Sequence, residues 1–127
     1  MVPKKLTPIL VVDAIEPALP FWTDRLGFAR TAEVPEGDRL GFVILARDGI
    51  EVMYQTRASI GNDVPSMLDV PARGTVLFIE VDDIGAIEAA MQGVEVVVPR
   101  RRTFYGADEL FVREPGGHVV GFAQFGG

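Results

Sequence analysis

The sequence contains an internal repeat, in which one structural unit occurs twice. Residues Ile9–Asp13 and Phe78–Asp83 are both largely apolar segments that end in an acidic residue. Further along, Asp48–Val52 is matched by Gly116–Val120, in each case a glycine-containing turn followed by apolar residues. The offset is 70 residues for the first pair, counted from Asp13 to Asp83, and 68 for the second, counted from Gly49 to Gly117. Two matches at nearly one offset indicate a duplicated supersecondary unit, so both halves are expected to share one fold.

The first copy predicts a strand, a helix and three further strands. Asp13 is a candidate helix cap because its carboxylate can accept from free backbone N–H groups. Pro17 is tolerated in a first helical turn, so the helix is expected to begin near Glu16 and to end at Gly27. Its buried face would carry Leu19, Trp22 and Leu26, with Trp22 in the core. The three strands that follow are Phe28–Val34, Arg39–Arg47 and Ile50–Gln55, with a hairpin at Asp48-Gly49.

The second copy repeats this plan. A strand at Val76–Val81 leads to a helix capped by Asp82 and Asp83 and ended by Gly93, and three strands follow at Val94–Val98, Glu109–Arg113 and Val119–Phe125. The polar segment Thr56–Gly74 is interpreted as a connector with one irregular turn around Met67-Leu68. The predicted fold is α+β, with eight strands and two helices in a single domain at 1–127. Module one covers about 1–56, the connector about 57–74 and module two about 75–127.

The net charge and the composition limit the classes of partner that the protein is expected to bind. The net charge of −6 and the pI of about 4.7 predict a surface that repels nucleic acid and anionic lipid and attracts cations. There is no cysteine, which excludes disulfides and thiolate metal sites and suits a reducing cytoplasm. The apolar run near the N-terminus is too short for a membrane helix and lacks a cleavage site. We therefore predict a cytoplasmic protein without nucleic-acid or membrane partners.

Four motifs resemble the glyoxalase / bleomycin-resistance / extradiol-dioxygenase superfamily, also called the vicinal oxygen chelate superfamily. They are LTPILVVD at Leu6–Asp13, FWTDRLGF at Phe21–Phe28, DGIEV at Asp48–Val52 and YGADELFVREPGGH at Tyr105–His118. FWTDRLGF is the most specific and is most similar to bleomycin-resistance proteins. The sequence departs from the usual motifs at Glu114–Gly117, where relatives have DPDG, and at Asp108, where an arginine is common.

The resemblance implies two tandem βαβββ modules in an open, curled eight-stranded sheet. Each module would form half of a barrel with its helix outside, and the concave inner face would carry the site. It also implies a homodimer whose cleft can use both chains.

The resemblance also implies a divalent metal held by four inward side chains, two from each module. The equivalent positions here hold Leu6, Glu51, Val76 and Gly121, of which only Glu51 can donate to a cation. A shift of one residue brings in Thr7, Thr75 or Val120 and does not restore the site. We therefore predict no metal ligands and no cofactor. His118, the single histidine, is expected to be an exposed turn residue.

Glu51 keeps a catalytic alternative open. If it faces an apolar interior, burial would raise its pKa and could make it a general base. The preferred interpretation is a solvated remnant, or a hydrogen-bond partner of Gln55 or of a backbone group. No catalytic residue is assigned.

Strand alternation places Glu51, Met53 and Gln55 on the cavity side. The same count adds the set Leu6, Pro8, Leu10, Val76, Phe78, Val119 and Gly121. Such side chains can also simply fill a small barrel. In bleomycin-resistance proteins aromatic rings stack on the flat part of the drug, and the resemblance places Phe42 and Tyr105 at the matching positions. The predicted ligand-binding residues are Phe42, Glu51, Met53, Gln55, Phe78 and Tyr105.

Charged residues allow two kinds of ligand. Asp63, Asp69 and Asp108 are candidates to bind a cationic tail. The run Arg100–Arg102 could grip an anion, although pairing with nearby carboxylates is the preferred interpretation.

The leading hypothesis is a metal-free small-molecule binding protein. It would sequester a flat antibiotic of the bleomycin group in a dimer cleft. The acidic surface would allow this antibiotic to carry a cationic group. One alternative is a metal-dependent lyase, isomerase or dioxygenase of the same superfamily. The other is a metal-free enzyme that uses Glu51 as general base.

Overall fold

The computed structural model describes residues 1–126, which form two compact units, Met1–Arg73 and a second that begins at Gly74. Each unit contains one four-stranded mixed sheet, and the strand order in the second repeats that in the first. The predicted α+β class and the βαβββ plan of both copies are confirmed. The eight strands are divided equally between the two sheets.

The first sheet is built from four strands in the order β1-β4-β3-β2. The strands are β1 (Ile9–Val12), β2 (Ala29–Glu36), β3 (Arg39–Arg47) and β4 (Ile50–Thr56), and β1 runs parallel to β4. The predicted hairpin between β3 and β4 is confirmed. Asp48 has φ 49° and Gly49 has φ 84°, and a tight type I′ turn requires positive φ at both central residues.

The helical segment after β1 is irregular. A 3-10 turn at Glu16–Ala18 confirms the predicted start, and a π-helical stretch at Phe21–Arg25 leads to Gly27, whose φ of 71° ends the segment as predicted. The prediction that Asp13 caps this helix is wrong, because the N-cap is Ile15 and no side chain caps it. Pro17 and Pro20 have no backbone N–H. Fewer N–H groups at the start of the segment therefore need a capping acceptor, and the regular α-helical hydrogen bonds are interrupted.

The core of the first unit centres on Trp22, as predicted. The indole is fully buried and its Nε1 donates to Tyr54 Oη at 2.9 Å. Phe21 and Phe28 contact it edge to face, with ring centroids 5.3 and 4.9 Å away. Edge-to-face pairs add to area burial because a ring edge is positive and a ring face negative.

The connector contains a helix that the sequence analysis missed. Helix α1 (Arg57–Asp63) begins directly after β4, and the Thr56 side chain caps it by accepting from the Ser59 N–H at 3.1 Å. A 3-10 turn follows at Pro65–Met67, so the irregular turn predicted here is confirmed. The signal was the threonine at the end of an apolar strand, which satisfies a free N–H in the first helical turn.

The second unit repeats the plan with β5 (Val76–Glu80), α2 (Ile84–Ala90), β6 (Glu95–Arg102), β7 (Ala107–Arg113) and β8 (Val119–Phe125). Its sheet has the order β5-β8-β7-β6, with β5 parallel to β8. Asp83 caps α2 by accepting from the Ala86 N–H at 3.0 Å, as predicted. In residues 1–126 no helix is both long enough and apolar enough to cross a membrane.

The buried hydrogen bond between Trp22 and Tyr54 is testable. Tyr54→Phe leaves the indole N–H without this acceptor, so we expect the free energy of unfolding to fall by about 1–3 kcal/mol in urea denaturation. In a Trp22→Phe background the same change should cost clearly less, since no indole donor remains. Equal losses in the two backgrounds would contradict the assigned role.

Candidate functional site

In the first unit the two faces of the sheet differ sharply. Along β3 and β4, one face carries the buried side chains of Val43, Leu45, Val52 and Tyr54. The other face is open, and its side chains are half-buried. Register pairs Phe42 with Gln55, Ile44 with Met53 and Ala46 with Glu51, and paired residues share a face. Four predicted ligand-binding residues therefore lie together on this open face: Phe42, Glu51, Met53 and Gln55.

The prediction for β1 is wrong by one residue. Leu10 pairs with Tyr54 and is buried on the core side, whereas Ile9 and Val11 pair with Met53 and Gln55. A one-residue shift moves every side chain of a strand to the other face. Three consecutive residues, Leu10–Val12, are buried, so this strand has no alternation that could set its face.

Glu51 is held by two donors near the start of the chain. The Lys5 ammonium lies 3.0 Å from Oε1, and Thr7 Oγ1 donates to the same oxygen at 2.9 Å. The hydrogen bond from Lys5, followed by that from Thr7, lowers the pKa of Glu51. The alternative of a raised pKa is therefore wrong, and a carboxylate with a lowered pKa is a weak general base. Gln55, the other expected partner, instead donates to Ser59 Oγ at 3.1 Å.

A cavity of about 520 Å³ lies between the open face of the first unit and helix α1. Phe42 and Gln55 form part of its wall, and two further lining residues are joined by a hydrogen bond that Asn62 donates to Glu36 at 2.6 Å. The complete lining is Val34, Glu36, Phe42, Gln55, Ser59, Asn62 and Asp63. The helix that the sequence analysis missed thus supplies three lining residues. Asp63, a predicted partner for a cationic tail, is one of them, and its carboxylate and that of Glu36 can accept from an ammonium group.

The second unit presents four aromatic side chains on the open side of its sheet. We call this set, Phe78, Tyr105, Phe111 and Phe125, the aromatic face. Ring centroids are 6.2 Å apart for Phe78–Phe111, 6.5 Å for Phe78–Phe125 and 6.2 Å for Tyr105–Phe125. Phe78 is 50% exposed and Tyr105 is 45% exposed, so an added molecule can reach the rings.

Two members of the aromatic face were predicted and two were missed. Phe78 and Tyr105 belong to the predicted ligand-binding set, whereas Phe111 and Phe125 do not. Register could have found both, because Phe111 pairs with Gly121 and Phe125 pairs with Ala107. Alternation along β8 puts Gly121 and Phe125 on one face.

Gly121 lies beneath the ring of Phe111. A Cβ built on this glycine would lie 2.4 Å from Phe111 Cε2, far inside van der Waals contact. The aromatic ring therefore fills the space above the position that the resemblance gives to a metal ligand. Glycine is needed here because any side chain would compete with the ring.

The residues present do not fit the divalent metal of the superfamily. In the second unit the equivalent positions are hydrocarbon at Val76 and a bare backbone under a ring at Gly121. In the first unit Glu51 is the single donor, and Lys5 and Thr7 engage it. Within residues 1–126, no three His, Cys, Asp or Glu side chains come together in a group that could hold a metal ion.

A buried ionic group lies beside the aromatic face. Glu109 is only 1% exposed; its Oε1 accepts from Arg101 Nη2 at 3.1 Å and its Oε2 from the Tyr105 hydroxyl. The hydrogen bond to Glu109, together with partial desolvation, raises the pKa of Tyr105. The neighbours Arg100 and Arg102 pair with Glu88 at 3.1 Å and Asp108 at 3.5 Å, which confirms that this basic run pairs with carboxylates.

His118 is not the exposed turn residue that the sequence predicted. It is 3% exposed, and its Nδ1 lies 3.1 Å from Oε1 of Glu114, which is also buried. Glu114 also accepts from the N–H groups of Gly116 and His118, so one carboxylate organises the β7–β8 turn. Burial alone would raise the pKa of Glu114, but these hydrogen bonds outweigh it and lower the pKa overall.

Because Phe111 packs on Gly121, the loss of stability caused by a substitution at Gly121 should depend on whether the Phe111 ring is present. Gly121→Ala must displace the ring, and we expect the free energy of unfolding to fall by about 1–3 kcal/mol in urea denaturation. In a Phe111→Ala background the same change should cost less, because the competing ring is gone. Additive costs would show that the ring does not cover the glycine.

Glu114 predicts a pH dependence of stability. Its pKa is lower when folded than when unfolded, so the carboxylate contributes stability at neutral pH that is lost as the pH falls through the folded pKa. Between about pH 5 and pH 3 the melting temperature of the wild type should therefore fall more steeply than that of Glu114→Gln. Parallel melting curves across this range would contradict the role of the carboxylate.

Solved structures share this fold. One is a glyoxalase/bleomycin resistance protein/dioxygenase from Nocardioides, at 19% identity and TM-score 0.71 over 98% of this chain and 85% of that one. Another is TnmS3, an antibiotic binding protein from Streptomyces sp. CB03234, at 23% identity and TM-score 0.66 over 99% and 100%. A third is lactoylglutathione lyase from Agrobacterium tumefaciens, at 15% identity and TM-score 0.73 over 97% and 95%.

Identities this low establish a common fold and no more. No curated protein matches the sequence. The sequence profile of the Glyoxalase/Bleomycin resistance protein/Dioxygenase superfamily, however, matches residues 5–122, nearly the whole chain. The chain belongs to this superfamily.

Proposed function

We propose that this protein is a metal-free small-molecule binding protein that sequesters a flat antibiotic of the bleomycin group. The observation that carries the proposal is the aromatic face, four rings on the open side of a sheet with Phe78 and Tyr105 about half exposed. TnmS3, which shares the fold, is an antibiotic binding protein. Its likeness supports the proposal only together with the chemistry of these rings.

Planar ligands suit the aromatic face. The rings of Phe78–Phe111 and Tyr105–Phe125 are tilted by 41° and 37°, and those of Phe78–Phe125 meet edge to face at 68°, so none of these pairs is stacked face to face. A flat heteroaromatic group that contacts two of them gains about 0.5–1.5 kcal/mol per ring pair beyond the burial of apolar area. Half-exposed rings also give the apolar surface whose removal from water stabilises a complex.

The first unit, taken by itself, also offers a surface that suits a cationic group. The cavity beside α1 carries the carboxylates of Glu36 and Asp63, and Phe42 offers a ring in its wall. Cations are attracted both by carboxylates and by aromatic faces. The net charge of −6 favours approach of such a ligand over a longer range.

The same chemistry favours sequestration over turnover. A metal-dependent lyase, isomerase or dioxygenase needs donors that Val76 and Gly121 do not offer. A general base needs a carboxylate with a raised pKa, whereas Lys5 and Thr7 lower that of Glu51. The proposed action is therefore stoichiometric binding.

The proposal includes the organisation of the protein in the cell. We take residues 1–127 as a single glyoxalase/bleomycin-resistance-like domain that works as a cytoplasmic homodimer with its ligand in the dimer cleft. Exposed apolar side chains outside the aromatic face, such as Val34 and Val76, support a dimer, since association would cover them. Sedimentation equilibrium at micromolar concentration gives the oligomeric state directly.

Titration calorimetry with metal-free bleomycin tests the function. We expect saturable binding in the wild type and a loss of about tenfold in affinity for Phe78→Ala, because one stacking ring and its buried area are removed. Val96→Ala, which removes an exposed apolar side chain on β6 outside the aromatic face, is the matched control and should bind as the wild type does. The absence of heat at high micromolar drug would reject the bleomycin group as ligand, and stoichiometric metal in the purified protein would reject metal-free binding.

A further inference from the structure

The charge that a ligand meets on the second unit differs from the charge of the protein as a whole. On the open side of this sheet, register aligns Glu80, Ala123, Glu109 and Arg101 in one row across the four strands. Glu109 is 1% exposed, while 56% of the Arg101 side chain is exposed. The accessible group of this ion pair is therefore the guanidinium.

Glu109 is engaged by the protein itself. A buried carboxylate is costly unless it is paired, and here Arg101 takes one oxygen and the Tyr105 hydroxyl takes the other. Because the carboxylate is buried, a cationic ligand has no path to it without displacing both donors. The role that remains for Glu109 is to position Arg101 and Tyr105 beside the aromatic face.

Arg101 retains binding capacity. A guanidinium has five N–H groups, and the contact with Glu109 uses one nitrogen, Nη2. Glu80, the exposed carboxylate in the row, lies three strands away, or about 14 Å at the usual strand spacing, too far to compete for these N–H groups. Arg100 and Arg102 are engaged by Glu88 and Asp108, so Arg101 is the member of the basic run that stands beside the rings.

We infer that Arg101 anchors a carboxylate or phenolate oxygen of a ligand whose planar ring lies on the aromatic face. The ligand class for this face is a planar aromatic acid. The inference rests on the proposed function and adds to it an acidic group that the net charge of the chain does not suggest. Glu109 acts as a positioning residue, since it limits the freedom of the guanidinium before the ligand arrives.

The choice of arginine matters chemically. A planar guanidinium presents parallel N–H groups to the two oxygens of a carboxylate, whereas a lysine ammonium is a point charge without this geometry. The anchoring role therefore predicts that lysine cannot replace arginine, although lysine could still neutralise Glu109.

Three naphthalene probes of one ring size separate the contributions. They are 2-naphthoate, which is anionic at neutral pH, 2-naphthylmethanol, which is neutral, and 2-naphthylmethylamine, which is cationic. In calorimetric titrations of the wild type we expect 2-naphthoate to bind at least about tenfold more tightly than the amine, the difference expected for a hydrogen bond to a charged group. The neutral alcohol should lie between them and reports the ring contribution alone.

Variants of the anchor make the test specific. Arg101→Ala and Arg101→Lys should each weaken 2-naphthoate by about tenfold and leave 2-naphthylmethanol nearly unchanged. Arg100→Ala, which removes an arginine paired with Glu88 one position away, is the control and should not alter binding of any probe. Arg101→Ala leaves Glu109 without its cation and can therefore destabilise the fold. Two further measurements test the anchor in a folded protein. One is the binding of 2-naphthoate by Arg101→Lys, and the other is the shift of the Arg101 side-chain Nε–H resonance when 2-naphthoate is added to the wild type.

The outcomes distinguish this inference from the proposed function. Equal affinity for the anionic and cationic probes, or unchanged binding of 2-naphthoate by Arg101→Lys, would overturn the anchor. If bleomycin binds and 2-naphthoate binding does not depend on Arg101, only the anchor is rejected. If 2-naphthoate binds through Arg101 and bleomycin does not bind, the anchor stands and the bleomycin group is rejected as ligand.

Discussion

In each sheet of this protein one face is packed against helical segments and the other is left largely open. In the first unit the irregular segment around Trp22 packs on the face that carries Tyr54, and the hydrogen bond between the two side chains fixes that contact. In the second unit one short helix, α2, packs on β7 and β8. In the first unit α1 covers part of the opposite face and leaves the cavity beside it, and the opposite face of the second sheet carries the half-exposed rings of Phe78 and Tyr105. Both candidate ligand surfaces follow from this constraint.

The side chains on the open faces of the two sheets determine what each face can bind. The superfamily offers a fold in which inward side chains can bind a metal, but here Gly121 removes one such side chain and the ring of Phe111 takes its space. The glycine that offers no donor at this position thus also leaves room for a ring of the aromatic face.

The net charge of the chain does not indicate which charged groups a ligand can reach, because several carboxylates are engaged within the protein. Glu51, Glu109 and Glu114 each accept from two or more groups of their own unit. Burial of a charge is tolerated only with such partners, and once engaged these groups offer little to a ligand. An acidic chain can thus present an arginine as the accessible charge beside its rings.

The sequence by itself determined the duplicated βαβββ plan, the hairpin at Asp48-Gly49 and four residues of the first open face, because these depend on repeats, turn chemistry and two-residue alternation. Only the tertiary structure decided the face of β1, whose run of buried residues carries no alternation, and the helix supplying Ser59, Asn62 and Asp63. It also decided the burial of His118 against Glu114 and the meeting of Phe111 with Gly121. The face of β1 depends on its register with β4, a strand distant in sequence, and the other features depend on three-dimensional packing that local pattern does not encode.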